Sequence, residues 1–172
     1  MKSLLLAAAA ALLVGGCEVK RAGDAAQPAA TVPSGSISEA DARKIVDGVH
    51  RDFLGGDAVK MMTHYAPGAI LFDPSHSQPS ADRNTQTQWA TEFVAMKPAD
   101  LVSNPSTVQL LDADTFVASG IAGFTGEVNG HRDLYHARYT QVFERQADGS
   151  WLIVHEHMSM PPATAAAAPA AQ

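Results

Sequence analysis

Two histidines flank a glutamate near the end of the chain, in the stretch WLIVHEHMS over residues 151–159. Imidazole groups exchange protons near neutral pH and bind metals, so this stretch could form a metal site, a catalytic pair or a pocket wall. His155 and His157 share one face of a strand, with Cα atoms about 6.5 Å apart. A metal needs a further converging ligand, and residues 158–162 supply no acid. We expect hydrogen-bonded histidines in a polar pocket, with no metal and no cofactor.

A second group of polar side chains lies on the preceding predicted strand. If residues 146–149 form the hairpin loop, Arg138 lies opposite His157. Directly opposed residues of a hairpin share a face. One surface therefore collects His157 and the predicted ligand-binding residues, which are His136, Arg138, Thr140, His155 and Ser159. On a flat sheet this surface would face solvent, whereas on a bent sheet packed over helices it would line a hollow. We expect the hollow, where Arg138 can bind an acidic end of a ligand or hydrogen-bond the pocket wall.

Asp73 is the other candidate for chemistry, because it ends a short apolar strand over residues 69–72 and precedes Pro74. An aspartate there can start a turn by bonding its own backbone, line a cavity, or act as a general base. The sequence leaves all three roles open. If Asp73 is a catalytic base, His157 or His155 is its predicted partner in proton transfer near neutral pH.

Three helices are predicted ahead of these strands. Ser38 and Asp41 form a capping-box variant that begins the first helix, and Asp57 caps a second, shorter helix that ends at Pro67-Gly68. His50 lies beside the apolar face of the first helix, so we expect it at the rim. The third helix carries apolar residues at spacings typical of a core, namely Trp89, Phe93 and Met96.

From Leu101 onward the hydrophobic period changes to two, and turns are predicted at residues 112–114, 129–130 and 148–149. This pattern predicts a meander of antiparallel strands. The fold class is therefore α+β, with three N-terminal helices packed on a strongly curved antiparallel sheet.

The first residues indicate export. Lys2, an apolar run too short to span a bilayer and the small residues before Cys17 are typical of a signal peptide. The segment resembles the lipobox of bacterial lipoproteins, which implies that Cys17 is lipidated and anchors the protein in a membrane. Glu18 follows the cysteine, and the rule for such proteins then favours the outer membrane, facing the periplasm.

Composition divides the chain into four parts. Residues 1–16 form the predicted signal peptide and residues 17–35 a flexible tether, because they are rich in Ala, Pro and Gly. Residues 36–162 form one domain, and residues 163–172 form an Ala- and Pro-rich tail.

The charge balance argues against a nucleic-acid partner. The chain has 12 basic and 18 acidic residues, and loss of Lys2 with the signal peptide leaves 11 − 18 = −7. The basic residues are not clustered, whereas binding to phosphates requires a positive face.

Two stretches resemble a known family. RYTQVFERQADGSWLIVHEHMS (138–159) and FLGGDAVKMMTHYAPGAILFDP (53–74) are similar to SnoaL-like domains of the nuclear transport factor 2-like superfamily. The resemblance implies a cone-shaped α+β barrel, a ligand cavity at its open end and frequent homodimers.

Within that superfamily, the catalytic base of ketosteroid isomerase corresponds to Asp73. The tyrosine that binds the oxyanion in that enzyme corresponds to Val49. Its neutral acid corresponds to a position near Thr140 or Gln141. Steroid isomerisation is not expected, because these residues cannot replace the two donors.

Three functions remain open. The first is a membrane-tethered domain that binds an unidentified small molecule. The second is an enzyme of isomerase, dehydratase or cyclase type that uses Asp73 and a histidine. The third is an interaction module that forms a homodimer, or docks on another envelope protein, through the mostly apolar sheet face that carries Tyr139, Phe143 and Leu152.

Overall fold

The computed structural model describes residue 35, residues 37–103 and residues 106–160. The described residues belong to one compact unit. The predicted signal peptide, Cys17, the tether up to residue 34 and the tail lie outside the described residues. Within the described ranges, no helix has both the length and the apolar character needed to cross a membrane.

The three predicted helices are confirmed. They are α1 (Glu39–Phe53), α2 (Ala58–Met62) and α3 (Arg83–Ala95). The backbone N–H of Asp41 donates to Oγ of Ser38 at the start of α1. The side chain of Asp57 accepts hydrogen bonds from the first turn of α2. Both caps satisfy backbone N–H groups that a helix start otherwise leaves unpaired.

Six strands form a single curved sheet. They are β1 (Tyr65–Phe72), β2 (Ala99–Ser103), β3 (Thr107–Leu110), β4 (Thr115–Val128), β5 (His131–Arg145) and β6 (Trp151–Ser159). Their order is β1-β6-β5-β4-β2, and β3 also pairs with β4. The predicted α+β class is confirmed. The sheet is antiparallel as predicted from β6 to β2, and it departs from that pattern at β1, which pairs with β6 in parallel.

The predicted boundary between α2 and the first strand is wrong. The helix ends at Met62, and Pro67-Gly68 lies inside β1. Gly68 has a φ of 77°, and the pairing of β1 with β6 is irregular between Tyr65 and Ile70. A glycine with positive φ permits such an irregularity at little steric cost.

The core lies between the helices and one face of the sheet. We call this the inner face; it carries Tyr139, Gln141 and Phe143 on β5, all buried. The rings of Phe116 and Phe143 stack at a centroid distance of 4.6 Å. Trp151, at the hairpin tip, packs on Phe116 with ring centroids 5.0 Å apart.

The hairpin of β5 and β6 contains a β-bulge. Phe143 lies opposite Ile153, but Val142 lies opposite His155, so Val154 is an extra residue on β6. The loop is also one residue longer than predicted, because Arg145 lies opposite Trp151. Together these two residues make the predicted register wrong by two positions: Arg138 lies opposite Ser159 and Thr140 opposite His157.

Candidate functional site

The predicted ligand-binding residues share one face of the sheet, as expected, but it is the face away from the helices. We call this the outer face. Because the bulge adds one residue to β6, side chains beyond it exchange faces. Glu156 is therefore opposite Gln141 on the inner face. The prediction that the polar set lines the hollow is wrong, and this applies to His136, Arg138, Thr140, His155, His157 and Ser159.

The outer-face histidines contact an aromatic residue of β1. The ring centroids of His155 and His157 lie 5.7 and 5.3 Å, respectively, from the ring centroid of Phe72. Arg138 and Thr140 are exposed on the adjacent strand. The guanidinium of Arg138 therefore cannot contact a ligand that is bound inside the domain.

A cavity of about 200 Å³ lies between the inner face and helices α2 and α3. Asp73 is the one residue of the predicted site that lines it. The helical residues predicted as core also contact the cavity. Its lining comprises Phe53, Met61, Met62, Tyr65, Leu71, Asp73, Pro74, Ser75, His76, Gln86, Trp89, Ala90, Glu92, Phe93, Met96, Phe124, Tyr135, Ala137, Glu156, Met158 and Met160.

Glu156 is the buried acid of this cavity. Only 4% of the surface of Glu156 is exposed to solvent. Oε1 accepts a hydrogen bond of 3.0 Å from the Tyr65 hydroxyl, and Oε2 accepts one of 2.6 Å from Nε2 of Gln141. Burial raises the pKa of Glu156 to about 7, while these two hydrogen bonds lower it and the charge of Asp73 raises it slightly. Near neutral pH, Glu156 can both give and take a proton.

Gln141 links Glu156 to a second buried group. Its Oε1 lies 3.2 Å from Nε2 of His50. Burial lowers the pKa of His50, so the imidazole is neutral at pH 7 and its Nε2–H donates to Gln141. Nδ1 of His50 has no hydrogen-bond partner among the described residues. The prediction that His50 lies at a rim is wrong, because only 6% of the residue is exposed.

Asp73 combines two of its three predicted roles. It starts a turn, because Oδ1 accepts a hydrogen bond of 2.8 Å from the backbone N–H of Ser75, and it also lines the cavity. The same Oδ1 lies 3.0 Å from Nδ1 of His76. Catalysis by Asp73 stays a prediction; the histidine within its reach is His76, since His157 is on the outer face.

His76 is held from three sides. Besides Asp73, its Nε2 lies 3.4 Å from a carboxylate oxygen of Glu92 on α3. Its ring stacks on Trp89 with a centroid distance of 4.4 Å. The loop that follows β1 is thereby fixed to α3 at the cavity wall.

Two side chains of α3 set the distance between this helix and β1. Gln86 donates hydrogen bonds to the backbone carbonyls of Ala69 and Ser80, at 2.7 and 2.9 Å. Arg83 donates to the carbonyls of Met62 and Tyr65. These hydrogen bonds tie α3 to the backbone of β1 and its neighbouring segments along the cavity wall.

Sequence reasoning missed Glu156 as a cavity residue, although it lies inside the HEH motif. It also missed His76, Glu92 and Gln141. No local signal marked Glu156: Ile153 and Glu156 are both buried, which a regular strand does not allow, and the sequence does not show the bulge at Val154 that permits it. Within the described ranges, no group of three or more His, Cys, Asp or Glu side chains is placed to hold a metal ion.

Comparison with known proteins agrees with this architecture. Residues 42–163 match the family model of the SnoaL-like domain. A comparison with curated protein sequences gave no significant match.

Solved structures with the same fold include three bacterial proteins. A candidate calcium/calmodulin dependent protein kinase II association domain from Xanthomonas campestris is 30% identical, covers 78% of this chain and 95% of its own, and has a TM-score of 0.67. A candidate ketosteroid isomerase from Shewanella frigidimarina is 18% identical, covers 67% and 92%, and has a TM-score of 0.58. An NTF2-like protein from Rhodospirillum rubrum is 19% identical, covers 69% and 96%, and has a TM-score of 0.59. The last two show the fold alone.

With the family match and the Xanthomonas relative taken together, the chain belongs to the SnoaL-like domain family and has the NTF2-like fold.

Proposed function

We propose that this domain binds a small, partly apolar molecule in the cavity between α3 and the sheet. The observation that carries the proposal is the buried carboxyl group of Glu156, which lines an otherwise largely apolar space. Stability alone does not favour this arrangement, because burying a carboxyl group costs free energy. A concave apolar pocket with a few converging polar groups is the usual form of a ligand site.

The size of the cavity limits the ligand. A dry cavity of about 150 Å³ holds a benzene ring, and this cavity measures about 200 Å³. A molecule with one ring and one short polar substituent therefore fits. Its ring would contact Trp89 and Phe124, and its polar group would reach Glu156 or Asp73.

Benzyl alcohol is a suitable probe, because it has one ring, one hydroxyl and no charge. Titration into the purified domain, followed by protein NMR shifts, should show saturable binding. Ala90 lines the cavity and is buried on α3, whereas Ala95 on the same helix is exposed. We expect Ala90→Leu to abolish binding by filling the space and Ala95→Leu to leave it intact. Equal binding by Ala90→Leu would reject the proposal, as would the absence of saturable binding to the wild-type domain by both benzyl alcohol and charged benzyl compounds of similar size.

A second function, self-association, is favoured by the outer face of the sheet. Four large apolar side chains are exposed there: Ile70 (43%), Phe72 (37%), Ile121 (39%) and Leu134 (56%). The Xanthomonas relative is described as an association domain. We propose that the outer faces of two copies pack together as a homodimer, since grouped exposed apolar side chains mark interaction surfaces.

Sedimentation velocity tests this second function. We expect a dimer for the wild-type domain and a monomer for Ile121→Glu, because the new carboxylate would be buried at the interface. Val59 is also exposed, at 73%, but lies on α2. Val59→Glu should therefore remain dimeric. A monomeric wild-type domain at micromolar concentration would refute the dimer.

We also propose that lipidated Cys17 holds the domain at the outer membrane, facing the periplasm. The support is the sequence before the cysteine. Mass spectrometry of the N-terminal peptide should show a diacylglycerol on Cys17, and Cys17→Ser should release the protein from the membrane fraction. An unmodified Cys17 in membrane-bound protein would contradict the anchor.

A further inference from the structure

The cavity has an unbalanced distribution of charge. Three carboxyl groups line it, from Asp73, Glu92 and Glu156, together with the imidazole of His76. Of the described residues that line the cavity, none is Lys or Arg. His76 can offset one negative charge when it is protonated. The space therefore has a negative potential whenever Glu156 is ionised, and low local polarity strengthens this potential.

Aromatic rings form much of the remaining wall. They belong to Phe53, Tyr65, Trp89, Phe93, Phe124 and Tyr135. The face of an aromatic ring carries partial negative charge, and it attracts organic cations, most strongly where water is excluded. Rings and carboxylates together form the environment that proteins use to bind amines and quaternary ammonium groups.

Asp73 has one carboxylate oxygen available for such a ligand. Within the described residues, both of its hydrogen-bonding contacts, with Ser75 and His76, end on Oδ1. Oδ2 has no hydrogen-bond partner among the described residues, and Asp73 lines the cavity. Asp73 and Glu156 are also close enough for the charge of one to affect the other. A cation between them would relieve this repulsion.

We infer that the ligand is a small organic cation, an amine or quaternary ammonium compound, whose charged group lies near Asp73 and Glu156 and whose apolar part contacts the aromatic wall. The inference rests on the proposed ligand-binding function and specifies the chemical class of the ligand. An anionic ligand is disfavoured, because it would meet carboxylates without a compensating Lys or Arg on the wall.

Binding of a cation should also change the protonation state of Glu156. The ionisable groups around Glu156 are Tyr65 on β1, Asp73 and His76 on the following loop, Glu92 on α3, and Tyr135 on β5; His50 connects through Gln141. Because Glu156 titrates near neutral pH in the empty protein, a cation beside it favours the carboxylate and displaces its proton. A quaternary ammonium ligand has no proton of its own, so a proton released on binding comes from the protein and is taken up by the buffer.

A matched series of ligands tests the inference by isothermal titration calorimetry. Benzyl alcohol, benzylamine, benzyltrimethylammonium and benzoate share a ring and differ in charge. At pH 8 we expect the two cations to bind at least tenfold more tightly than benzyl alcohol, and benzoate to bind most weakly. Binding of benzyltrimethylammonium at pH 7 should release protons, measured by comparing buffers of different ionisation enthalpy.

Variants locate the effect. Glu156→Gln and Asp73→Asn should each reduce the preference for the cations severalfold while benzyl alcohol still binds. Asp133→Asn, at an exposed position of β5, should not change it. If benzyl alcohol binds as tightly as the cations, the inference is wrong and the ligand-binding function stands. If none of the four compounds binds, the proposed function itself fails.

Discussion

Gln141 and Glu156 lie directly opposite each other on β5 and β6, and Nε2 of Gln141 donates a hydrogen bond of 2.6 Å to Oε2 of Glu156. Both residues are buried. A strand without the bulge at Val154 would have placed a histidine at this position. The presence of a carboxyl group instead of an imidazole at this position therefore depends on one extra residue in β6.

Glu156 should make stability depend on pH. Burial raises its pKa from the ordinary value of 4.5 to about 7 in the folded protein. The folded state then holds this proton more tightly than the unfolded state, so stability falls as pH rises from about 4.5 to about 7 and is level above. The contribution is on the order of 3 kcal/mol.

The Glu156→Gln variant should lose this part of the pH dependence. Urea unfolding at pH 4.5 and 7.5 measures the change for each protein. Glu144→Gln, at an exposed position of β5, should retain the wild-type difference. A Glu156→Gln profile parallel to that of the wild type would show that Glu156 does not titrate in this range.

Gln141→Leu should destabilise the domain. It removes the donor to Glu156 and the acceptor for His50, leaving two buried polar groups without this partner. Each such group costs roughly 1–3 kcal/mol. The unfolding midpoint in urea should fall accordingly. Gln88→Leu, at an exposed position of α3 where the side chain donates a hydrogen bond to Glu92, should change stability by less than about 0.5 kcal/mol.

Asp73→Asn should lower the pKa of Glu156. The negative charge of Asp73 raises this pKa, while asparagine can still accept the hydrogen bond from Ser75 and preserve the turn. Carbon-13 NMR of the glutamate carboxyl groups measures the titration directly. An unchanged or higher pKa in the variant would mean that the two carboxyl groups do not interact.

Gly120 and Gly48 form a pair with opposite expected effects. A Cβ on Gly120 would lie 2.9 Å from the hydroxyl oxygen of Tyr139, which is buried and hydrogen-bonded to Ser106. Gly120→Ala should therefore cost roughly 1–3 kcal/mol. A Cβ on Gly48, inside α1, would meet only Arg51 at 3.8 Å. Gly48→Ala should stabilise the domain by about 0.5–1 kcal/mol. Thermal unfolding compares the two, and equal midpoints would contradict the crowding at Gly120.

The helices and the hairpin turns could be predicted because local chemistry determines them. Ser38 and Asp57 cap helices through bonds within one turn. Asn129 and Gly130 both have positive φ, as a two-residue hairpin loop requires. Each signal lies within a few residues of the feature it produces.

The site could be predicted only in part, because it depends on contacts between distant residues. The alternation of side chains correctly placed Arg138 and His157 on one face. The extra loop residue and the bulge residue together shift the register by two positions, and an even shift leaves His157 on the same face. The bulge at Val154 has no local signal, and it placed Glu156 instead of His155 opposite Gln141 on the inner face. Asp73 was found from its Asp-Pro turn. His50 was misplaced because its partner Gln141 is 91 residues away.

The parallel pairing of β1 with β6 joins the beginning of the domain to its last strand. Glu156 and its partner Tyr65 also come from these two strands. Until Trp151–Ser159 is synthesised, β1 lacks its neighbour and the cavity lacks its acid. A growing chain thus cannot assemble the binding site early, and folding must wait for nearly the whole domain to be available.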